Sequence, residues 1–272
     1  MVNIRPQFMQ FYHKYRKRRF NFEKSSFLHD YLKCFFNHRC PINTYQKYTI
    51  IGDINKAKII IVCRYDTRKE LWVNRHNLYT AKTRPKRDYL MLDRSLRFLF
   101  IIISFFIIHV FVGYNFYLII LSVFVSLWVF IGKSNRKNFS STINLYMIKQ
   151  LAITESITND VVFVLYDKKI PIAIFNDHQL IIILEHCAYG NVIGIQSDLD
   201  IKQFESSTIK IINSKELVQP LSNYLIINTG FCDDLGFYRL YVDTKQDTSL
   251  NITLYRQITE LIKRLIYKPY QS

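Results

Sequence analysis

The chain has 272 residues, 49% hydrophobic and 21% charged, enough to bury a full core in one domain or one domain with an appendage, which excludes a disordered chain. Its 37 Lys and Arg against 21 Asp and Glu leave a formal charge of +16, so a polyanionic partner or an anionic surface is expected, either nucleic acid or phospholipid head groups. Seven glycines, with no Walker loop, GxGxxG or GxSxG, argue against a glycine-rich phosphate cradle or a nucleophile elbow.

Residues 1–47 read as a basic N-terminal helical segment. Ser25 to Phe36 has helical spacing behind a Ser cap, and His13 to Phe20 (HKYRKRRF) is a basic and aromatic cluster with no apolar run after it, so no cleavable signal is expected. Tyr48 to Gly52 and Lys58 to Cys63 are β-rich runs. The second ends at Arg64 and Asp66, two residues apart and therefore on one side of an extended chain. A basic stretch from Lys82 to Arg87 follows, and from Phe98 to Ile131 the chain is almost wholly apolar, broken near its middle by Gly113, Tyr114 and Asn115. The run is too long for a single span of about 20 residues, so two short helices joined by a turn, a transmembrane hairpin over 96–132, are expected; arms this short also allow the hairpin only to dip into one leaflet. His109 in the first arm is expected near the interface. Arg94 and Arg97 before the run and Lys133, Arg136 and Lys137 after it place both flanks on the cytoplasmic side by the positive-inside tendency, where anionic lipid suits the basic clusters.

Beyond the hairpin, Asn138 to Leu151 is helical; strands are expected at Val161 to Tyr166, Leu180 to Leu184, Ile209 to Ile212 and Tyr224 to Ile227, and a terminal helix from Ser249 to Ile266. Strands alternating with helices predict an α/β domain over 48–95 and 133–272, a mostly parallel mixed sheet flanked by helices, with any site at the carboxyl ends of its strands. The five cysteines, Cys34, Cys40, Cys63, Cys187 and Cys232, never form a CxxC pair and read as free thiols in a reducing compartment.

The order KIIIVCRYDT, apolar hairpin, KNFSST with a helix, VVFVLYDKK, ILEHCAYGN and YVDTKQDT with a helix resembles the M28 zinc aminopeptidases, in particular a Gram-positive branch that carries a membrane hairpin between its first two metal-ligand segments. The resemblance spans Tyr48 to Ile266 and implies a zinc-exopeptidase-like fold. It also implies where a two-zinc site would lie. The family's first His falls on Arg64, with its orienting Asp kept as Asp66; the bridging Asp falls on Lys137, before Asn138 and Ser140. The general-base Glu and its neighbour fall on Lys169 and Ile170, or on Lys168 and Lys169 if the alignment slips by one. The later Asp falls on His186 beside Glu185, and the terminal His on Asp243, with Asp247 and Thr248 retained.

Those replacements have a physical direction. Zinc sites need carboxylates, thiolates and neutral imidazoles aimed at the metal, whereas a fixed cation at about 4 Å and an effective dielectric near 20 repels each unit of ion charge by about 4 kcal/mol. The expectation is therefore a pseudopeptidase with no metal, no cofactor and no catalytic residue, in which Arg64 pairs with Asp66, Asp243 and Glu185. A Cys187 nucleophile served by His186 is disfavoured, because neighbours on a strand face opposite ways. The expected role is that of a membrane-anchored binding or assembly partner, with an active relative, a peptide export or maturation complex or a peptide ligand, and with the anionic inner leaflet; nucleic acid is disfavoured. Two alternatives stand beside it: an active metal-dependent aminopeptidase with an unusual ligand set, and a purely structural membrane scaffold.

Overall fold

The computed structural model describes residues 4–18, 20–36, 41–67, 76–77, 85–112, 116–131, 138–154, 160–212, 221–233, 236–240 and 249–267. Two helices open the chain, α1 (Ile4–Tyr15) and α2 (Asn21–Phe36), followed by strands β1 (Ile42–Thr44), β2 (Tyr48–Ile51), β3 (Ile59–Arg64) and β4 (His76–Asn77). Helices α3 (Pro85–Val112) and α4 (Phe116–Ile131) come next, then α5 (Phe139–Thr154). Strands β5 (Val161–Tyr166), β6 (Leu180–Leu184), β7 (Val192–Ser197), β8 (Ile209–Ile211), β9 (Tyr224–Asp233) and β10 (Gly236–Leu240) lead to α6 (Ile252–Tyr267).

The sheet runs β1-β2-β5-β3-β6-β9-β10-β4, with β7 paired to β9 and β8 to β7. Its centre is parallel: β3 lies between β5 and β6, and β6 continues to β9 in the same sense. The strands of this centre are apolar on both faces because both faces are covered. Ile59, Ile61, Cys63, Phe163, Leu165, Ile182, Leu184, Leu225 and Ile227 enter one core with the buried faces of α1, α2, α5 and α6. Ile60, Val62, Val162, Val164, Ile181, Ile183 and Ile226 enter a second, against Ile170, Ile174 and Phe175.

The connection from β3 through α5 leads to β5 on one side of β3, and the next strand, β6, lies on the other side. Chain order therefore reverses at β3, the place where open α/β sheets form a crevice at their carboxyl ends. Arg64 is the last residue of that strand.

The N-terminal segment is part of the core. Phe8, Phe11, Tyr12 and Tyr15 are buried on α1, and Phe8 meets Phe139 and Tyr146 of α5 edge-on, at 5.2 and 5.7 Å between ring centroids. The cluster at His13 to Phe20, expected at lipid head groups, is thereby corrected in two positions: Tyr15 and Arg18 are buried.

Helices α3 and α4 pack against each other as a hairpin. At its base Arg97, expected as a flanking charge for head groups, is instead buried, and its guanidinium donates 2.8 Å to the Val129 carbonyl in the last turn of α4. A carbonyl in that turn has no intrahelical donor of its own, so the arginine satisfies it and ties the arms together. The rest of the hairpin turns hydrocarbon outward; Phe106 and Phe124 are each 66% exposed. Among the described residues no helix is long and apolar enough to cross a membrane. Helix α3 has 28 residues and α4 has 16, and at 1.5 Å per residue α4 rises about 24 Å, less than a hydrocarbon core of about 30 Å.

Candidate functional site

At the carboxyl end of β3 the chain turns through Tyr65, Asp66 and Thr67, and four elements converge there: the residues after α1, the first turn of α5, and the ends of β5 and β6. The parallel register pairs Arg64 with Tyr166 and Cys63 with both Leu165 and Leu184, so the three strand ends lie level.

Arg64 and Asp66 form a two-pronged ion pair. The Arg64 Nε donates to Asp66 Oδ1, and Nη2 donates to Oδ2 at 2.7 Å. The Lys168 backbone N–H adds a third bond to Oδ1 at 3.4 Å, made from a left-handed backbone (φ 63°) that non-glycine residues adopt at some cost. Burial alone would raise the Asp66 carboxyl; the Arg64 hydrogen bonds and charge, the Lys168 amide and the nearby Lys24 ammonium outweigh it and hold the carboxyl below its usual range. Asp167, one residue past β5, receives Lys24 Nζ at 2.6 Å, with both side chains largely buried.

Arg18 fills the space on the other side of the strand end. It is fully buried. Its Nε donates 2.7 Å to the Tyr65 carbonyl, Nη1 donates to the Tyr15 carbonyl, and Nη2 reaches Ser141 Oγ and Thr142 Oγ1 at 3.3 and 3.2 Å. The guanidinium lies 5.3 Å from the Phe27 ring centroid. Burial lowers it to about 10, against the opposing pull of Cys63 and Asp66, so it remains charged at neutral pH. The chain at Arg18 also pairs with that at Thr67, through Thr67 N–H to Arg18 O at 3.0 Å and Arg18 N–H to Thr67 Oγ1 at 3.3 Å. Asn138, just before α5, donates 2.7 Å to Arg16 O and accepts from the Thr142 hydroxyl at 2.5 Å. The N-terminal segment is therefore stitched to the two chain segments that carry the first two expected ligand positions.

The remaining positions separate. His186, also left-handed (φ 36°), places Nδ1 3.3 Å from Ser140 Oγ on α5. Glu185 is fixed through its backbone N–H to Ile227 O at 2.9 Å. Cys187 is buried and donates its thiol to Glu185 O and Ile227 O, at 3.0 and 3.4 Å. Lys169 is exposed and Ile170 packs against the second core. Lys137 and Asp243 lie outside the described residues, as do Asp247 and Thr248.

A two-cation centre requires carboxylate oxygens free to face the ions. Both oxygens of Asp66 are occupied by Arg64, Oδ2 of Asp167 is occupied by Lys24 while its buried Oδ1 has no hydrogen-bond partner among the described residues, and Arg18 adds a third cation. Three cations beside one fully engaged carboxylate do not match the ligand set of such a centre, and among the described residues no group of three or more His, Cys, Asp or Glu could hold a metal ion.

Arg18, Lys24 and Asp167 were absent from the sequence-based site. Asp167 had a signal: it lies just past the end of β5 as Asp66 lies just past the end of β3, and the parallel register sets those two strand ends level. Arg18 had a weaker one in the aromatic spacing of Phe8, Phe11, Tyr12 and Tyr15, which draws the segment after them into the core.

Searches with the sequence return no matching family model and no matching curated protein. The fold does have counterparts among solved structures. Glutaminyl cyclase from Tannerella forsythia superposes with a TM-score of 0.53 over 97% of this chain and 98% of that one, at 9% identity. The Porphyromonas gingivalis glutaminyl cyclase gives 0.53 over 97% and 96%, at 8% identity. A leucine aminopeptidase precursor from Bacteroides thetaiotaomicron VPI-5482 gives 0.51 over 94% and 92%, at 9% identity. The chain thus shares the fold of these glutaminyl cyclases and of the leucine aminopeptidase precursor, a fold of the α/β kind expected from the sequence. At these identities the likeness is one of fold alone.

Proposed function

We propose that the protein is a non-hydrolytic relative of the M28 peptidases that acts by binding, held at the cytoplasmic side of an anionic membrane by its α3–α4 hairpin and serving an active relative or a peptide maturation or export complex. The observation that carries the non-hydrolytic part is the Arg64–Asp66 pair at the end of the central strand: a guanidinium stands in the position where the resemblance calls for an imidazole ligand, and it has taken up the carboxylate beside it. Without a bound metal, no water in the crevice has its pKa lowered toward neutrality by an ion. The cations that replace the carboxylates cannot act as anionic bases.

The membrane part is supported by the outward-facing hydrocarbon of the hairpin, far more than a soluble monomer ordinarily exposes, and by the basic residues that precede it, of which Arg94 is exposed. The 16 residues of α4, short for a full span, fit immersion in one leaflet, with the Arg97–Val129 tie at the hairpin's open end.

The test uses the full chain purified in detergent, assayed for release of N-terminal residues from peptides and for cyclisation of N-terminal glutamine, with and without added zinc. No turnover under any condition is expected. Zinc-dependent turnover that survives Arg64→Ala would make it an active aminopeptidase or cyclase with another ligand set. Co-purification of a stable second protein, abolished by changes on the α/β domain, is the expected sign of an assembly role.

A further inference from the structure

On the outer side of the helical layer, α1, α2 and α5 line an open cleft of about 620 Å³, a size usual for small-molecule sites. It is remote in kind from the strand-end crevice, since none of the residues lining it takes part there except Tyr15, whose carbonyl serves Arg18. Its inner wall is aromatic: Phe11 lies between Tyr15 and Tyr146, with centroids at 4.8 and 5.4 Å. Its rim is cationic. Lys14 comes from α1, Lys33 from α2 and Lys149 from α5, and Asp30 is the one acidic residue among the lining groups.

The single carboxylate is shared. Asp30 Oδ2 is 3.3 Å from Lys14 Nζ and Oδ1 is 3.6 Å from Lys33 Nζ, which sets the two ammonium groups on one side of the cavity. Lys149, from a different helix, lies over the Phe11 ring, 5.8 Å from its centroid. Three ammonium groups against one carboxylate leave two net positive charges around an aromatic wall. A phosphate monoester carries about −1.5 to −2 at neutral pH and offers three acceptor oxygens. The glutamines Gln10 and Gln150 supply further donors and acceptors at the mouth.

We infer that this cavity is a binding site for a phosphate monoester joined to a planar ring or acyl group, with Lys149 and Lys14 closing on the phosphate from two sides and the Phe11 wall receiving the apolar part. The ligand is either a soluble phosphate ester or the phosphomonoester head of an anionic lipid. This site is independent of the non-hydrolytic reading above.

The test measures binding of phenyl phosphate to the full chain by isothermal titration, and of vesicles of phosphatidylcholine with and without phosphatidic acid by flotation. Each is compared with Lys149→Met, which keeps the length and apolar stem of the side chain, with Lys149→Arg, and with Lys56→Met as a change of equal charge elsewhere. Saturable binding of one phenyl phosphate per chain is expected, weakened at least tenfold by Lys149→Met, retained by Lys149→Arg and unchanged by Lys56→Met. If phenyl phosphate fails but phosphatidic acid increases flotation through Lys149, the ligand is the lipid head. Flotation alone that persists in Lys149→Met belongs to the hairpin and, with no phenyl phosphate binding, overturns the site. Equal losses in Lys149→Met and Lys56→Met would also overturn it, as general electrostatics. Circular dichroism of each variant shows that the fold is intact.

Discussion

The strand ends and the hairpin both reverse the usual placement of residues, in opposite senses. At the strand ends Arg18, Lys24, Asp66 and Asp167 are drawn inside, whereas on α3 and α4 Phe98, Phe106, Phe124 and their neighbours are turned outside. The charged region resolves its own cost. Each buried cation there has carbonyl, hydroxyl or carboxylate acceptors within reach, and an unpaired buried charge would be unsustainable. The hairpin does not resolve its own: its base is tied through Arg97, but the exposed apolar residues of its described part call for something outside the chain. One region pairs its cations from within, leaving only Asp167 Oδ1 unpartnered among its described carboxylate oxygens, and the other leaves its hydrocarbon bare.

Arg18 gives the largest expected effect. Arg18→Ala removes the donors to two buried carbonyls and to Ser141 and Thr142, so the folded state should lose about 3–4 kcal/mol in denaturant titration, the sum of a cavity and orphaned acceptors. A loss below about 1 kcal/mol would mean that the strand ends do not depend on the N-terminal segment. The hairpin should respond in the other currency. Replacing Phe106 and Phe124 together by Ser should leave unfolding in detergent-free buffer within about 0.5 kcal/mol of the parent, yet weaken partition into anionic vesicles by about a hundredfold, given at least about 1.5 kcal/mol per buried side chain. Unchanged partition would remove the hairpin from membrane binding.

Asp66→Asn should cost less, about 2 kcal/mol, since Arg64 is partly exposed and keeps some hydration. The pH dependence has a definite sign. The Asp66 carboxyl is held below its ordinary value of 3.8, so its stabilisation is fully present above that value and is lost as pH falls through the lowered one. The parent should therefore lose stability more steeply than Asp66→Asn between about pH 4 and pH 2. Parallel acid limbs would show that the pair contributes nothing to folding.

Much of the sheet was legible in the sequence because its centre is built from long apolar runs: β3, β5 and β6 lie where Ile, Val and Leu cluster between turns. Strand β7 was not, since Gly194 and Gln196 interrupt its pattern. The glycine is required by contact rather than by propensity: a Cβ there would come within 2.4 Å of the Ile212 side chain. The same limit applies to the site. The spacing of Arg64 and Asp66 put them on one side, and they meet; Arg18 is more than forty residues away in sequence and reaches the strand end only because α1 packs on α5. In a run of basic residues, nothing local distinguishes the one that is buried from those that face water. For the hairpin, the division into two helices, α3 ending at Val112 and α4 beginning at Phe116, was legible from the apolar pattern, while the inward turn of Arg97 came only with the packing of the two arms.

The central claim concerns what occupies the end of β3, and metal stoichiometry tests it most directly. The full chain is equilibrated with excess zinc near neutral pH, freed of loose metal by gel filtration and analysed by inductively coupled plasma mass spectrometry, beside Arg64→His and Asp66→Asn. The account predicts well under one zinc per chain in the parent, with no loss on Asp66→Asn. Two zinc ions per chain that disappear on Asp66→Asn would contradict it.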